Sequence, residues 1–284
     1  MNLRDWIGRS VTESDTVTPT PCAALAATFD RDPARPAIGT TLPPLWHWLY
    51  FLPLPKRSDI GPDGHARRGG FLPPVELPRR MWAGSQFEFH SPLRIGDAIV
   101  RTSTIEDVTE KTGRTGPLVF VKVRHEVRRA NEDAKALTEF HDIVYREAAK
   151  PTDVAPAPVM APAASAWERH WIPDDVLLFR YSALTFNGHR IHYDRRYVTE
   201  VEGYPGLVVH GPMLATLMLE LLRDRMPGAT VTRYEFRAMR PVFDINPFWV
   251  CGEPQADGKT IKLWVRDHEG AQNMAATATV SAAK

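Results

Sequence analysis

The chain has 284 residues, enough for one large domain or two of roughly 140. With 43% hydrophobic and 24% charged residues it has a globular composition, which excludes a disordered or fibrous protein. Its 35 basic and 34 acidic side chains leave a formal charge of +1, too little for a global field that would draw in nucleic acid or an anionic membrane.

In chain order, the first helical candidates are residues 21–29 and the aromatic run 42–52. Strands are expected over 98–107, 118–129 and 136–147. Val119-Phe-Val-Lys-Val-Arg124 passes from an apolar run into alternation, as a half-buried strand does, and turn residues 112–116 precede it. Residues 151–165, rich in proline and alanine, can sustain neither a helix nor a central strand and read as a semi-rigid spacer. The expected organisation is therefore a unit over 1–150, a linker over 151–165 and a second unit over 166–284. A long helix is expected over 211–225. Leu214, Leu217, Met218, Leu221 and Leu222 keep helical spacing, and Met213, Ala215 and Leu219 widen the apolar face almost all round, the mark of a buried helix. Pro212 suits its first turn, and Pro227-Gly228 stops it. Strands over 248–253, 260–267 and 272–281 follow, separated by Ala256-Asp257-Gly258 and His268-Glu269-Gly270.

The two units repeat each other. Gln86-Phe-Glu-Phe-His-Ser-Pro-Leu-Arg-Ile-Gly-Asp97 and Arg233-Tyr-Glu-Phe-Arg-Ala-Met-Arg-Pro-Val-Phe-Asp244 each precede three strands. Aligning Phe87-Glu88-Phe89 with Tyr234-Glu235-Phe236 sets Asp97 opposite Asp244 without a gap. A buried helix followed by an antiparallel meander suits a helix wrapped by a curved sheet. Two such units predict an α+β double hot-dog fold.

The most unusual segment is Phe179-Arg-Tyr-Ser-Ala-Leu-Thr-Phe-Asn187-Gly-His189-Arg-Ile-His192-Tyr-Asp194, followed by a loop and then Leu207-Val-Val-His210-Gly211 running into the long helix. It resembles the signature of the R-specific (MaoC-like) enoyl-CoA hydratases, in which an aspartate precedes a histidine by five residues; here those positions are Asn187 and His192. Thr-Phe-Asn is shared with the subgroup of 3-methylfumaryl-CoA (mesaconyl-C4-CoA) hydratase, itaconyl-CoA hydratase and 3-hydroxyacyl-thioester dehydratase. Trp46-His-Trp-Leu-Tyr, Arg79-Arg-Met-Trp-Ala-Gly and Gly116-Pro-Leu-Val-Phe extend the resemblance into the first unit. The resemblance implies reversible hydration of an α,β-unsaturated acyl-CoA with R-specificity, no cofactor, an oxyanion-binding amide at Gly211, and a homodimer.

Hydration next to a thioester needs a base for water and donors for the developing enolate oxygen. His192 can exchange a proton near neutrality, and the Gly211 amide stands at a helix start, where free N–H groups and the macrodipole favour negative charge. An amide cannot transfer a proton, so either Asn187 orients water while His192 works alone, or His189 is the second acid/base group; the residues leave both open. Val209 and His210 would border the substrate, with His210 also holding the loop into the helix. Asp194 reads as a helix cap or a partner of Arg190, Arg195 or Arg196. His189-x-x-His192 with Asp194 is metal-like in spacing, but no second ligand cluster accompanies it, and no metal is expected. Arg180 or Arg190 could meet a substrate carboxylate; Arg67 and Arg68, beside His65, read as solvated rather than as contacts for CoA phosphates. The first unit, which has no counterpart of the Asn/His segment, is expected to be non-catalytic and to form a wall of the acyl pocket.

The expected substrate is a branched C5 dicarboxylyl-CoA, 3-methylfumaryl- or itaconyl-CoA converted to citramalyl-CoA. A fatty-acyl 3-hydroxyacyl-thioester dehydratase and a non-catalytic acyl-thioester binding module are the alternatives. Two cysteines, Cys22 and Cys251, suit a reducing compartment; without a signal-peptide core or a membrane span, a soluble cytoplasmic protein is expected.

Overall fold

The computed structural model describes residues 2–32, 34–113, 116–148 and 157–281. Ten strands form one antiparallel sheet: β1 (Ser10–Thr16), β2 (Arg79–Phe89), β3 (Ala98–Gly113), β4 (Gly116–Arg129), β5 (Lys135–Arg146), β6 (Trp167–Trp171), β7 (Thr230–Ala238), β8 (Phe248–Pro254), β9 (Thr260–Asp267) and β10 (Gln272–Ser281). Their order is β1-β3-β4-β5-β2-β7-β10-β9-β8-β6, a palindrome of the two repeats joined at β2 and β7. In that central pair Phe87 lies opposite Tyr234, the residue with which it aligns in the sequence repeat. A pseudo-twofold axis therefore passes close to this pair, whose rings sit 6.0 Å apart.

The turns follow the expected chemistry. Gly258 adopts φ +67° while the Asp257 carboxylate accepts the amides of Lys259 and Thr260. At the next turn Gly270 adopts φ +84° and Asp267 accepts the amides of Glu269 and Ala271. The turn residues Arg114 and Thr115, and residues 151–156 of the expected spacer, lie outside the described residues. Part of the spacer is held by the sheet: Ala161 donates to Gly270, and Gln272 donates to Val159.

Helix α4 (Gly211–Arg225) is buried without interruption from Met213 to Leu222 and packs on β8, β9, β10 and β6. Tyr234 of β7 also donates to the Ala215 carbonyl. Among the described residues the first repeat has no equal to it. Helix α1 (Pro19–Thr28) forms as expected, but the aromatic run 42–52 yields only a 3-10 turn, Trp46–Leu49. Leu45 and Phe51 hold left-handed φ angles of +68° and +53° at either end, which blocks helix propagation in both directions. The turn is pinned instead by Glu139 of β5, which takes Nε2 of His47 (3.1 Å) and Nε1 of Trp48 (3.1 Å). The hot-dog units are thus unequal, one built around a long helix and one around an aromatic turn. Among the described residues no helix is long and apolar enough to cross a membrane.

Candidate active site

Two short helices that the sequence reading did not resolve organise the Asn/His segment. Helix α2 (Asp175–Leu184) starts on the Asp174 carboxylate, which accepts the Leu177 amide at 2.7 Å. A left-handed Phe186 (φ +49°) then turns the chain into Asn187, and a 3-10 turn at Arg190–His192 leads to α3 (Arg195–Glu200). Asp194 caps α3 by accepting the Tyr197 amide at 3.0 Å and pairs with Arg190 at 2.7 Å. The cap and the ion pair between them engage both carboxylate oxygens of Asp194.

His192 is 7% exposed. Its Nδ1 lies 2.7 Å from the Val208 carbonyl oxygen, which carries no proton, so Nδ1–H donates and Nε2 keeps its lone pair. Burial pulls the imidazole down to about 4 against the opposing Val208 bond, so the ring is neutral and basic at Nε2 near pH 7. One face of His192 stacks on His210 at 3.7 Å. His210 has no exposed surface, and its Nε2 lies 2.8 Å from the Ser182 hydroxyl. It clamps α2 to the start of α4. Val209 is buried too, its amide donating to Val242. Both positions expected at the substrate's edge are buried in this structure.

The residue after His210 is Gly211, the first of α4. The first bond into the helix runs from Leu214 N–H to the His210 carbonyl (3.1 Å), and Pro212 has no N–H, so the Gly211 amide precedes the helical bonding pattern. A Cβ at Gly211 would meet nothing nearer than the Met274 methyl at 3.9 Å, so space remains open beside this glycine's Cα.

Asn187 Oδ1 accepts the His189 amide at 3.0 Å, an Asx turn that sets the path of the segment. The His189 ring stands edge-on to His192 at 5.4 Å. Burial lowers the His189 proton affinity first, and neighbouring His65, His192 and Arg80 lower it further.

Three site residues escaped the sequence reading, and all come from the first repeat. His65 lies against His189 with ring centres 3.9 Å apart, and its Nδ1 is 2.9 Å from Asp63 Oδ2. Ligand-type atoms of Asp63, His65 and His189 gather within 4.8 Å of one another, and the Asp63–His65 contact has the length of an ordinary hydrogen bond. Arg80, at the start of β2, sits opposite Tyr145 in the sheet, and its charge opposes protonation of both His65 and His189. The legible signal was the carboxylate two residues from a histidine in Asp63-Gly64-His65, a spacing that lets the two side chains meet.

The expected cations lie elsewhere. Arg180 is exposed on α2. Arg190 is held by Asp194, by the Pro62 carbonyl (3.0 Å) and by the Tyr197 ring at 4.1 Å. Arg68 is exposed as expected, and its guanidinium donates to the carbonyls of Val75, Leu77 and Pro78. The Arg67 amide donates to Asp59 while its side chain is exposed.

A neutral imidazole stacked on the residue that precedes a helix-start glycine, carried on a sheet built from two repeats, is the equipment of a hot-dog hydratase or dehydratase of acyl thioesters. Comparison with known proteins gives the same class. Residues 45–244 match the family described as hydroxyacyl-thioester dehydratase type 2, and the chain belongs to that family. It is 45% identical over 273 residues to the mesaconyl-C(4)-CoA hydratase of Chloroflexus aurantiacus, covering 96% of this chain and 95% of that one. Among solved structures, a MaoC-like dehydratase from Phytophthora capsici superposes with a TM-score of 0.68 at 12% identity, covering 99% of this chain and 98% of that one. A Mycobacterium tuberculosis protein with a double hot-dog fold gives a TM-score of 0.57 at 14% identity, covering 96% of each chain. These two likenesses establish the fold. The chain is a hydro-lyase-type enzyme acting on acyl-CoA thioesters, and the binding-module alternative falls away.

Proposed function

We propose that the enzyme hydrates a branched C5 dicarboxylyl-CoA, 3-methylfumaryl- or itaconyl-CoA, to citramalyl-CoA and catalyses the reverse dehydration. The 45% identity to a mesaconyl-C(4)-CoA hydratase along nearly the whole chain carries this choice of substrate. In this reading His192 Nε2 takes a proton from water as its oxygen bonds the β-carbon, and the Gly211 amide holds the enolate oxygen. Asn187 keeps the segment in register through its Asx turn, and His189 borders the substrate.

The distal carboxylate needs a cation. With Arg190 held by Asp194 and Arg180 on an exposed helix surface, the guanidinium suited to that role is Arg80, which acts on both His65 and His189. Replacing Arg80 with leucine should abolish turnover of dicarboxylyl-CoA substrates while sparing crotonyl-CoA. Equal loss of both would remove Arg80 from substrate selection.

The deciding experiment is a panel of enoyl-CoA thioesters with chiral analysis of the hydrated product. Preference for long unbranched enoyl chains would favour the fatty-acyl dehydratase reading, which the family description supports. His192→Ala should lower kcat by about 10²- to 10⁴-fold, the usual contribution of a positioned base. Retained activity would remove His192 from the chemistry. A homodimer and a cytoplasmic location belong to the same reading, and light scattering of the purified chain tests the first.

A further inference from the structure

Three imidazoles crowd this site, and their surroundings are unequal. His192 donates to a neutral carbonyl and lies against His210. His189 faces His65, His192 and Arg80, each of which opposes a positive charge on it, with Asp63 alone in its favour. His65 also faces Arg68 and Arg80, but it alone is bonded directly to a carboxylate. Burial favours the neutral form at all three rings; at His65 the Asp63 bond pulls the other way.

The Asp63 loop is fixed to the site. Asp63 Oδ1 accepts the His65 amide (3.0 Å), its carbonyl accepts the Arg190 amide (2.9 Å), and Gly61 N–H donates to the His65 carbonyl (2.7 Å). Gly64 holds φ +91°, and a Cβ there would collide with the Gly188 carbonyl. The backbones of the two repeats thus touch beside the imidazoles. The Tyr197 hydroxyl also feels Asp63 from α3.

We propose that Asp63 and His65 form the proton store of the reaction, holding as an ion pair the proton that His192 takes from water until it reaches the α-carbon. The inference rests on the hydratase reading above. In the hydration direction the water oxygen bonds the β-carbon and the double-bond electrons move into the thioester enolate. One water proton passes to His192 and on, by way of His189 between the two rings, to His65, where the Asp63 carboxylate balances its charge. It then returns through His189 and His192 and forms the new bond at the α-carbon. Nothing is oxidised or reduced, every residue ends as it began, and dehydration runs the same path backwards. Asp63 acts through His65, as a positioning residue, and brings to the site the negative charge that Asn187 lacks.

The test compares the full-length wild type with Asp63→Asn and His65→Gln, using Asp63→Glu as the conservative variant. For Asp63→Asn and His65→Gln, kcat should fall by about 10²-fold or more, with KM within about threefold. The acid limb of the Asp63→Asn kcat profile should move to lower pH, because imidazoles without a carboxylate bind a proton more weakly; Asp63→Glu should restore both rate and limb in part. A purely structural Asp63 would lower thermal stability and raise KM while leaving the limb in place, and that result overturns the proposal. So does wild-type kcat in Asp63→Asn. If the wild type hydrates no enoyl thioester, the hydratase reading itself fails. If the wild type is active, His192→Ala is inactive and Asp63→Asn keeps the wild-type profile, only the proton store fails.

Discussion

Asn187 holds its loop with the oxygen that an aspartate would also have. Its Oδ1 accepts the His189 amide, so Asn187→Asp can keep the turn while adding a negative charge near His189 and His192. A nearby carboxylate raises the proton affinity of an imidazole, so the acid limb of activity should shift to higher pH in this variant. That is the opposite direction to Asp63→Asn, and a pH–rate profile of each variant separates the two. His192 and Gly211 could be nominated from the sequence because the histidine, loop and helix start lie within twenty residues and resemble a family signature. Asp63, His65 and Arg80 could not, because more than a hundred residues separate them from that segment and only the fold joins them. Arg190 misled for a physical reason: Asp194, four residues on, is its natural partner on the adjoining turn, and a cation so paired is not free for substrate.

At the scale of elements, α4 carries both the site amide and the joint between the repeats. Glu220 is buried in it, 2% exposed, and is met by Arg31 (2.5 Å), Arg223 (2.5 Å) and Trp46 Nε1 (3.0 Å). Arg31 and Trp46 belong to the first repeat. Removing Glu220 leaves the Trp46 indole N–H without its acceptor and the part-exposed Arg31 and Arg223 without a shared carboxylate, so Glu220→Ala should destabilise the chain by about 1–3 kcal/mol, readable in denaturant melts. The helix itself was plain in the sequence because leucine spacing, Pro212 and Pro227-Gly228 agree. Strands over 260–267 and 272–281 were equally plain from alternation and Asp-Gly or Glu-Gly turns. The run 42–52 was not: its aromatic content suits a buried helix, but the left-handed backbone at Leu45 and Phe51 cannot be read from residues that rarely adopt it.

Across the whole molecule, burial keeps His125, His189, His192 and His210 below the ordinary histidine range. Each binds a proton more readily when unfolded, so the stability they allow is full above about pH 6.5 and declines as pH falls toward their folded values, near 4 for His192. Asp63 and Glu139, held below the carboxylate range chiefly by their histidine partners against the cost of burial, lose their contribution only at lower pH still. Melting temperature should therefore fall steadily between pH 7 and pH 5, and calorimetry across that range checks it. A melting temperature that rises on acidification would contradict the neutral assignment of these rings.

The β2–β7 seam has a consequence for how the molecule could be divided. Either repeat made alone would present a long strand with its hydrogen-bonding edge bare, and the complementary repeat offers the matching edge in register from Gly84–Arg237 to Glu88–Arg233. Two fragments, one ending at residue 148 and one beginning at 157, should recognise each other when co-expressed and rebuild the sheet. Because His65 would arrive on one fragment and His192 on the other, recovered turnover would report that reunion directly, making the enzyme its own complementation assay.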